Sequence, residues 1–181
     1  MGAVTAARST EPRLTRADLD AMPDDGRRHE LLGGSIIVSP SPGFAHQSVV
    51  TSMFRLLDAA VPADLRLLPA PFDVALPSGD VVVPDLLVAR LSDFTSRDLP
   101  APPVLVVEVL SPSTRRRDLG EKLAAYRDAG VPHYWVVDPD GPHLLAHRLV
   151  DGDYPRTDVG PDDTWATDQP FPVSVTPRDL G

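Results

Sequence analysis

The chain has 181 residues, a length that suits one ordinary domain with a substantial core. Apolar residues make up 42 %, which excludes a chain that is disordered throughout, and the absence of cysteine excludes disulfides, thiolate metal sites and a cysteine nucleophile. The net charge of −9 argues against a general nucleic-acid binder, although a cluster of acids that holds a cation would itself add negative charge.

The ends and the hydropathy of the chain favour a soluble cytoplasmic protein. No apolar run reaches the roughly 18 residues of a membrane span. The stretch from Met1 to Arg13 lacks the apolar centre of a signal peptide. Residues 1–12 are interpreted as a flexible tail, and residues 13–181 as a single domain whose core spans 28–150.

The periodicity of apolar residues predicts a mixed set of elements. Helical patterns occur at residues 16–21 after the capping residue Thr15, at residues 46–60, and from Ser113 or Thr114 up to Ala129. Strand patterns occur at 28–32 and 35–38 around Gly33-Gly34, then at 66–69, 72–76, 81–83, 86–89, 104–110, 133–137 and 143–150. Residues 91–102 are expected to be a loop, and residues 171–175 a surface strand. Strands on both sides of two long helices predict a mixed α/β sheet flanked by helices.

Glu108 is the strongest single indication of chemistry. It lies inside Val104–Leu110, the most apolar stretch of the chain, which is expected to be a buried central strand. An ionised carboxylate in such a strand is costly unless it is paired or binds a cation. Asp85 begins a neighbouring strand, and two carboxylates on adjacent strands can form the oxygen site that Mg²⁺ or Mn²⁺ prefers.

Lys122 is expected to lie level with Glu108. The strand advances roughly 10 Å from Glu108 to Ser111, and the helix returns by about the same length from Arg115 to Lys122. On this helix Leu119, Leu123 and Tyr126 are predicted to form the apolar face. Lys122 would then sit at the edge of that face, where its side chain can reach into a site.

These residues resemble a known family. Pro84-Asp85, Glu108-Val-Leu-Ser-Pro-Ser-Thr114, Lys122 with Tyr126, and Gly130-Val-Pro-His-Tyr-Trp-Val-Val-Asp-Pro139 are similar to the restriction-endonuclease-like family common in bacteria, part of the PD-(D/E)xK nuclease superfamily. The hairpin around Glu30 and His46 also match. In the common superfamily pattern the lysine lies two residues after the glutamate, where this chain has Leu110, so the chain resembles the variant with the lysine on the following helix.

The resemblance implies a restriction-endonuclease-like fold and metal-dependent hydrolysis of phosphodiester bonds in DNA. Asp85, Glu108 and the backbone carbonyl of Val109 would hold Mg²⁺ or Mn²⁺. Lys122 would orient the attacking water or offset charge on the phosphate, and Glu30 would complete the acidic site. Two cuts in a duplex would favour a homodimer.

Simpler readings stand beside these hypotheses. Asp85 after a proline could begin a turn, Glu108 and Lys122 could form a buried salt bridge, and Glu30 could be an ordinary exposed acid on a hairpin. A degenerate member of the family could serve as a binding or regulatory module. A glycosidase with Asp85 and Glu108 as paired carboxylates is a further alternative, which the low aromatic content of 6 % disfavours.

Overall fold

A computed structural model describes residues 12–181, so the predicted flexible tail falls almost wholly outside the described residues. The α-helices in this part of the chain are α1 (Arg16–Asp20), α2 (Phe44–Asp58), α3 (Arg115–Asp118) and α4 (Glu121–Asp128). The strands are β1 (Arg28–Leu32), β2 (Ser35–Ser39), β3 (Leu65–Pro69), β4 (Asp73–Ala75), β5 (Val81–Val82), β6 (Leu86–Arg90), β7 (Asp98–Leu99), β8 (Leu105–Val109), β9 (His133–Asp138), β10 (His143–Arg148), β11 (Arg156–Val159), β12 (Trp165–Thr167) and β13 (Val173–Val175). Short 3₁₀ helices cover Leu91–Asp93 and Pro177–Leu180.

The main sheet has six strands in the order β11-β10-β9-β8-β6-β3. Strands β8 and β9 run parallel, whereas the other neighbours are antiparallel. All five residues of β8 are buried, which confirms the prediction of a buried central strand. The predicted fold class is therefore confirmed: a mixed sheet flanked by helices.

A second sheet has five strands in the order β2-β1-β5-β4-β7. The sequence predicted most of these strands but not that they form a sheet of their own. Its hairpin β1–β2 is confirmed, and both turn residues have positive φ, 60° at Gly33 and 80° at Gly34, as a tight two-residue turn requires. The loop prediction for residues 91–102 was incomplete. Strand β7 falls there and pairs parallel to β4, which buries Leu99 completely.

The two faces of the main sheet carry different layers because side chains alternate along each strand. Helix α2 packs Val49, Met53 and Leu57 against the face that includes Val107 and Val109. The opposite face of β8 packs with Tyr126 of helix α4, and Glu108 points to that side.

The third predicted helix is divided in two. Helix α3 ends at Asp118 and α4 starts at Glu121, with Gly120 between them at φ −131° and ψ −86°, outside helical geometry. A glycine destabilises a helix interior because its backbone loses more conformational entropy on folding than that of any other residue. A single helix through this point was therefore the wrong prediction, although Ala129 does follow the last turn as expected.

The C-terminal segment also departs from its prediction as a surface strand. Strand β13 pairs with β12, but Phe171 and Val175 are only 2 % and 1 % exposed and join the core under α2.

No helix among residues 12–181 is long and apolar enough to cross a membrane. The division into a tail and a single domain from residue 13 stays a prediction.

Candidate active site

An open cleft of about 590 Å³ lies where the main sheet meets the start of helix α2. Its walls come from the loop at 39–43, from residues 69–71 and from residues 111–114. Asp85, directly before strand β6, lines the cleft together with Arg28 and His46. Of the predicted catalytic residues, Asp85 therefore borders an accessible space, whereas Glu30, Glu108 and Lys122 are buried and do not line this cleft.

Glu108 and Lys122 meet as predicted. The Lys122 Nζ atom lies 2.8 Å from Oε1 of Glu108, and the same oxygen accepts a hydrogen bond of 3.1 Å from the Tyr126 hydroxyl. Glu108 and Lys122 are each only 1 % exposed. Although the predicted helix is broken at Gly120, α4 still folds back along β8, which brings Lys122 level with Glu108.

Lys122 also contacts a second acid. Its Nζ atom lies 2.8 Å from Oε1 of Glu30 and 4.0 Å from Asp118. Burial favours the neutral amine, but the carboxylates of Glu108, Glu30 and Asp118 outweigh burial and raise the pKa of Lys122 above its usual value. Lys122 is therefore held as a charged ammonium between the buried carboxyl groups of Glu108 and Glu30.

Glu108 titrates far from its usual range. Burial raises the pKa of its carboxyl to about 8, against the opposing pull of the Lys122 charge. Asp118, Asp85 and Glu30 raise the pKa further by repulsion. Because the raised pKa disfavours the ionised form of Glu108, an additional cation nearby would stabilise that form.

Glu30 is not the exposed hairpin acid of the simpler reading. It is 1 % exposed, and its Oε1 atom accepts a 2.8 Å hydrogen bond from the backbone N–H of Val83 as well as the contact to Lys122. Its Oε2 atom is buried without a hydrogen-bond partner among residues 12–181, with Arg28 Nε at 3.9 Å. That simpler reading was wrong because β1 pairs with β5, which turns Glu30 toward α4.

Asp85 is held on both oxygens. Its Oδ1 atom accepts a hydrogen bond of 3.1 Å from Arg28 Nη1. Its Oδ2 atom accepts a hydrogen bond of 2.8 Å from the Val109 N–H and lies 3.1 Å from His46 Nε2, within hydrogen-bond distance. Burial acts to raise the pKa of this carboxyl, but His46, Arg28 and the Val109 N–H outweigh it and hold the pKa below its usual value. Asp85 is thus an ionised carboxylate at the inner wall of the cleft.

The predicted backbone ligand lies on the same side. In an extended strand the N–H and C=O of one residue point to the same edge. The N–H of Val109 faces Asp85, while the next N–H, at Leu110, bonds across to Val137 of β9. The carbonyl oxygen of Val109 therefore faces the edge where Asp85 lies.

The buried face of helix α4 differs from the prediction. Lys122 and Tyr126 are its fully buried residues, whereas Leu119 before it and Leu123 within it are only partly buried. The helix is rotated so that the lysine, rather than a leucine, points at the sheet. The paired acids Glu108 and Glu30 make this rotation favourable by neutralising the buried charge.

Arg28 was not recognised from the sequence, and His46 was only a minor candidate. Two compositional signals could have drawn attention to this cluster. Lys122 is the single lysine among 17 basic residues, and Glu30 and Glu108 are two of only four glutamates among 26 acidic residues. Arg28 lies two residues from Glu30 on one strand, so both side chains share a face.

Comparisons with known proteins concern the family and the fold of the chain. The model of the Uma2 family, described as "Putative restriction endonuclease", matches residues 16–179. The chain belongs to the Uma2 family. Membership confirms the resemblance drawn from the sequence and supports a nuclease-like function.

A solved structure shares the fold seen for this Uma2 member. It is described as a putative nuclease belonging to DUF820 from Anabaena variabilis ATCC 29413, and it matches with a TM-score of 0.76 over 92 % of this chain and 97 % of that chain. The sequences are 18 % identical, so the likeness concerns the fold. A search of the curated proteins finds no match for this chain.

Proposed function

We propose that this Uma2 protein is a metal-dependent endonuclease that hydrolyses phosphodiester bonds of DNA, with Asp85, Glu108, Lys122 and Glu30 as its catalytic set. The observation that carries the proposal is the position of the single lysine, 2.8 Å from both Glu108 and Glu30 at the end of the central strand. Three buried acids gather around this lysine, and Asp85, which lines the cleft, accepts a hydrogen bond from the N–H of Val109, the residue after Glu108. A site that handles phosphate and cations needs such a cluster of charges.

The same position supports assignment to the PD-(D/E)xK pattern with a relocated lysine. Leu110, at the usual place of that lysine, is 3 % exposed and packs in the same core cluster as Val106 and Tyr126. Side chains two residues apart on a strand share a face, so Leu110 and Glu108 point the same way. Lys122 supplies from α4 the ammonium that Leu110 cannot supply from β8.

The donor set fits a hard divalent cation in kind. Asp85 and Glu108 offer carboxylate oxygens, Val109 offers a carbonyl, and Glu30 holds a buried oxygen that lacks a hydrogen-bond donor within the described part of the chain. No group of three acidic or histidine side chains in residues 12–181 is already arranged to hold an ion. Cation binding therefore requires that Arg28 or Lys122 release part of its hold on these carboxylates.

The roles of the side chains follow from their contacts. A bound Mg²⁺ or Mn²⁺ would supply charge to polarise the scissile phosphate and to lower the pKa of water. Lys122, released from Glu108, would offset charge that develops on the phosphate in the transition state. Arg28 and His46 hold the Asp85 carboxylate ionised and fix its orientation at the wall of the cleft.

A binding or regulatory module is the second candidate. The observation that favours it is that both oxygens of Asp85 already accept hydrogen bonds, from Arg28, His46 and Val109. In that case the cluster would be a structural network, and the fold would serve to bind a partner. The glycosidase alternative gains no support, because no Phe, Tyr or Trp of residues 12–181 lines the cleft to stack on a sugar.

The test is cleavage by the wild-type protein of supercoiled plasmid DNA and of a structured RNA, with Mg²⁺ or Mn²⁺ and with EDTA. We expect nicking of the plasmid that requires the metal, that is lost in Asp85→Asn, and that is kept in Asp64→Asn, whose side chain is 72 % exposed. Cutting that persists in EDTA or in Asp85→Asn would contradict the site. Cutting of RNA alone would identify RNA rather than DNA as the substrate. No cutting of either nucleic acid would favour the binding module.

A further inference from the structure

A second cavity, of about 310 Å³, shares no lining residue with the acidic cluster, which is the set Glu30, Asp85, Glu108 and Asp118 near Lys122. Its floor is Trp135 and Ala146 on β9 and β10, and the β12–β13 hairpin closes one side with Trp165. Trp135 belongs to the core on the α2 face, opposite to the face of Glu108. His133, at the cavity, is level with Leu105 of β8, which places it roughly 13 Å along the strand from Val109.

One wall of this cavity is aromatic. The rings of Trp135 and Trp165 meet edge to face, with centroids 5.2 Å apart and planes at 78°. Trp135 is buried at 1 % exposure, whereas Trp165 is half-buried, and both line the cavity. An indole held in place by a second indole offers a rigid surface against which a planar ring can stack.

The charge of the cavity is opposite to that of the chain. None of the residues that line it in the described range 12–181 is Asp or Glu, although the chain has a net charge of −9. Arg156 is paired with Asp158 at 3.3 Å. Arg148 is exposed and forms no ion pair with any described residue, so its guanidinium is available to an anion.

Polar groups without protein partners complete the lining. His133 is 5 % exposed and its ring forms no side-chain hydrogen bond within residues 12–181. Burial and the charge of Arg148 lower the pKa of His133 to about 4, so the ring is neutral near pH 7 and offers one donor and one acceptor. Thr157 and Gln169, two further polar residues, also line the space.

We infer that this cavity binds one nucleotide unit. Arg148 recognises the phosphate, Trp165 stacks on the base, and His133 and Gln169 reach its polar edge. The volume lies at the lower end of the range for small-ligand sites, which suits a single planar ring with its phosphate. The unit can come from a free mononucleotide or from a nucleic-acid strand, and the inference does not depend on whether the acidic cluster cleaves anything.

The chain itself carries the probe for this test. Its only two tryptophans are Trp135 and Trp165, so intrinsic fluorescence reports on the cavity and on little else. Wild-type protein in EDTA is titrated with AMP, adenosine, inorganic phosphate and a single-stranded DNA oligonucleotide. We expect saturable quenching by AMP or by the oligonucleotide at up to millimolar concentration, and binding of adenosine at least about tenfold weaker than that of AMP, because it lacks the phosphate.

Variants separate this site from the acidic cluster. Arg148→Met is expected to weaken nucleotide binding at least about tenfold, while Arg66→Met, an exposed arginine on the opposite edge strand of the same sheet, should leave it unchanged. Because the titrations are made in EDTA and report on the tryptophans, failure of the nuclease proposal would not affect this result. Quenching by the oligonucleotide alone would identify the strand as the source, and quenching by AMP alone the free nucleotide.

Three outcomes would overturn the inference: no saturable quenching by any probe, equal binding of adenosine and AMP, or unchanged binding by Arg148→Met. Folding is checked for each variant by circular dichroism and thermal unfolding. Because Arg148 is exposed and unpaired with any residue of the described chain, its replacement is not expected to unfold the protein.

Discussion

Replacing Lys122 by methionine is expected to lower the free energy of unfolding by about 3–5 kcal/mol above pH 8, where Glu108 is ionised. Methionine keeps most of the buried volume but removes the ammonium that lies 2.8 Å from both Glu108 and Glu30. Two buried carboxylates are then left without their main counter-charge, and the protein must either bury unpaired charge or take up protons. Urea denaturation of the metal-free protein measures the loss.

Three comparisons show whether this loss comes from charge. Arg127→Met, on the same helix but partly exposed and paired with its neighbour Asp128, should change stability by only about 0.5 kcal/mol. The double variant Lys122→Met with Glu108→Gln should recover part of the loss, because one of the unpaired charges is removed. The loss should also shrink as pH falls and the acids are protonated. A loss below about 1 kcal/mol with no recovery in the double variant would mean that the pair is not buried as described.

The second large effect concerns activity. Glu108→Gln is expected to reduce metal-dependent plasmid nicking on the order of 10³-fold or more, since the amide keeps the shape of the side chain but cannot supply an anionic oxygen. Stability should be preserved, because the amide oxygen can still accept from Lys122 and Tyr126, and Lys122 keeps its contact to Glu30. Nicking rates are compared with Glu121→Gln, an exposed glutamate on the same helix.

The same variant gives a readout of stability against pH. Because burial raises the pKa of Glu108 from 4.5 to about 8, ionising this group opposes folding. Its contribution to stability is therefore fully present below pH 4.5 and is lost as pH rises toward about 8. Glu108→Gln should remove this part of the decline. A wild type and a variant with identical slopes across this window would contradict the raised pKa.

Local patterns were sufficient for the framework of the site. The apolar run around Glu108 identified the central strand, because a parallel strand that is covered on both faces contains apolar residues on both. The length of one strand and of one helical return was enough to bring Lys122 level with Glu108. Both inferences depend on short-range geometry, which varies little between proteins.

What remained outside prediction depends on contacts distant in sequence. The burial of Glu30 requires the pairing of β1 with β5, some 50 residues later, and the hold on Asp85 requires Arg28 and His46 from two other elements. Strand β7 forms only because β4 offers a parallel edge. The helix breaks at the single residue Gly120, and the sequence on both sides of it keeps a helical pattern, so the pattern did not reveal the break. The periodicity of apolar residues along the chain contains no information about these distant contacts.

The measurement that tests the central claim most directly is calorimetric titration of Mn²⁺ into wild-type protein and into Glu108→Gln, with Glu121→Gln as the control. If Asp85, Glu108 and the Val109 carbonyl form a cation site, the wild type and Glu121→Gln should bind Mn²⁺ saturably, and Glu108→Gln should lose most of that binding. No binding by the folded wild type, or equal binding by Glu108→Gln, would contradict the site and favour a Uma2 protein that uses its cluster only for structure.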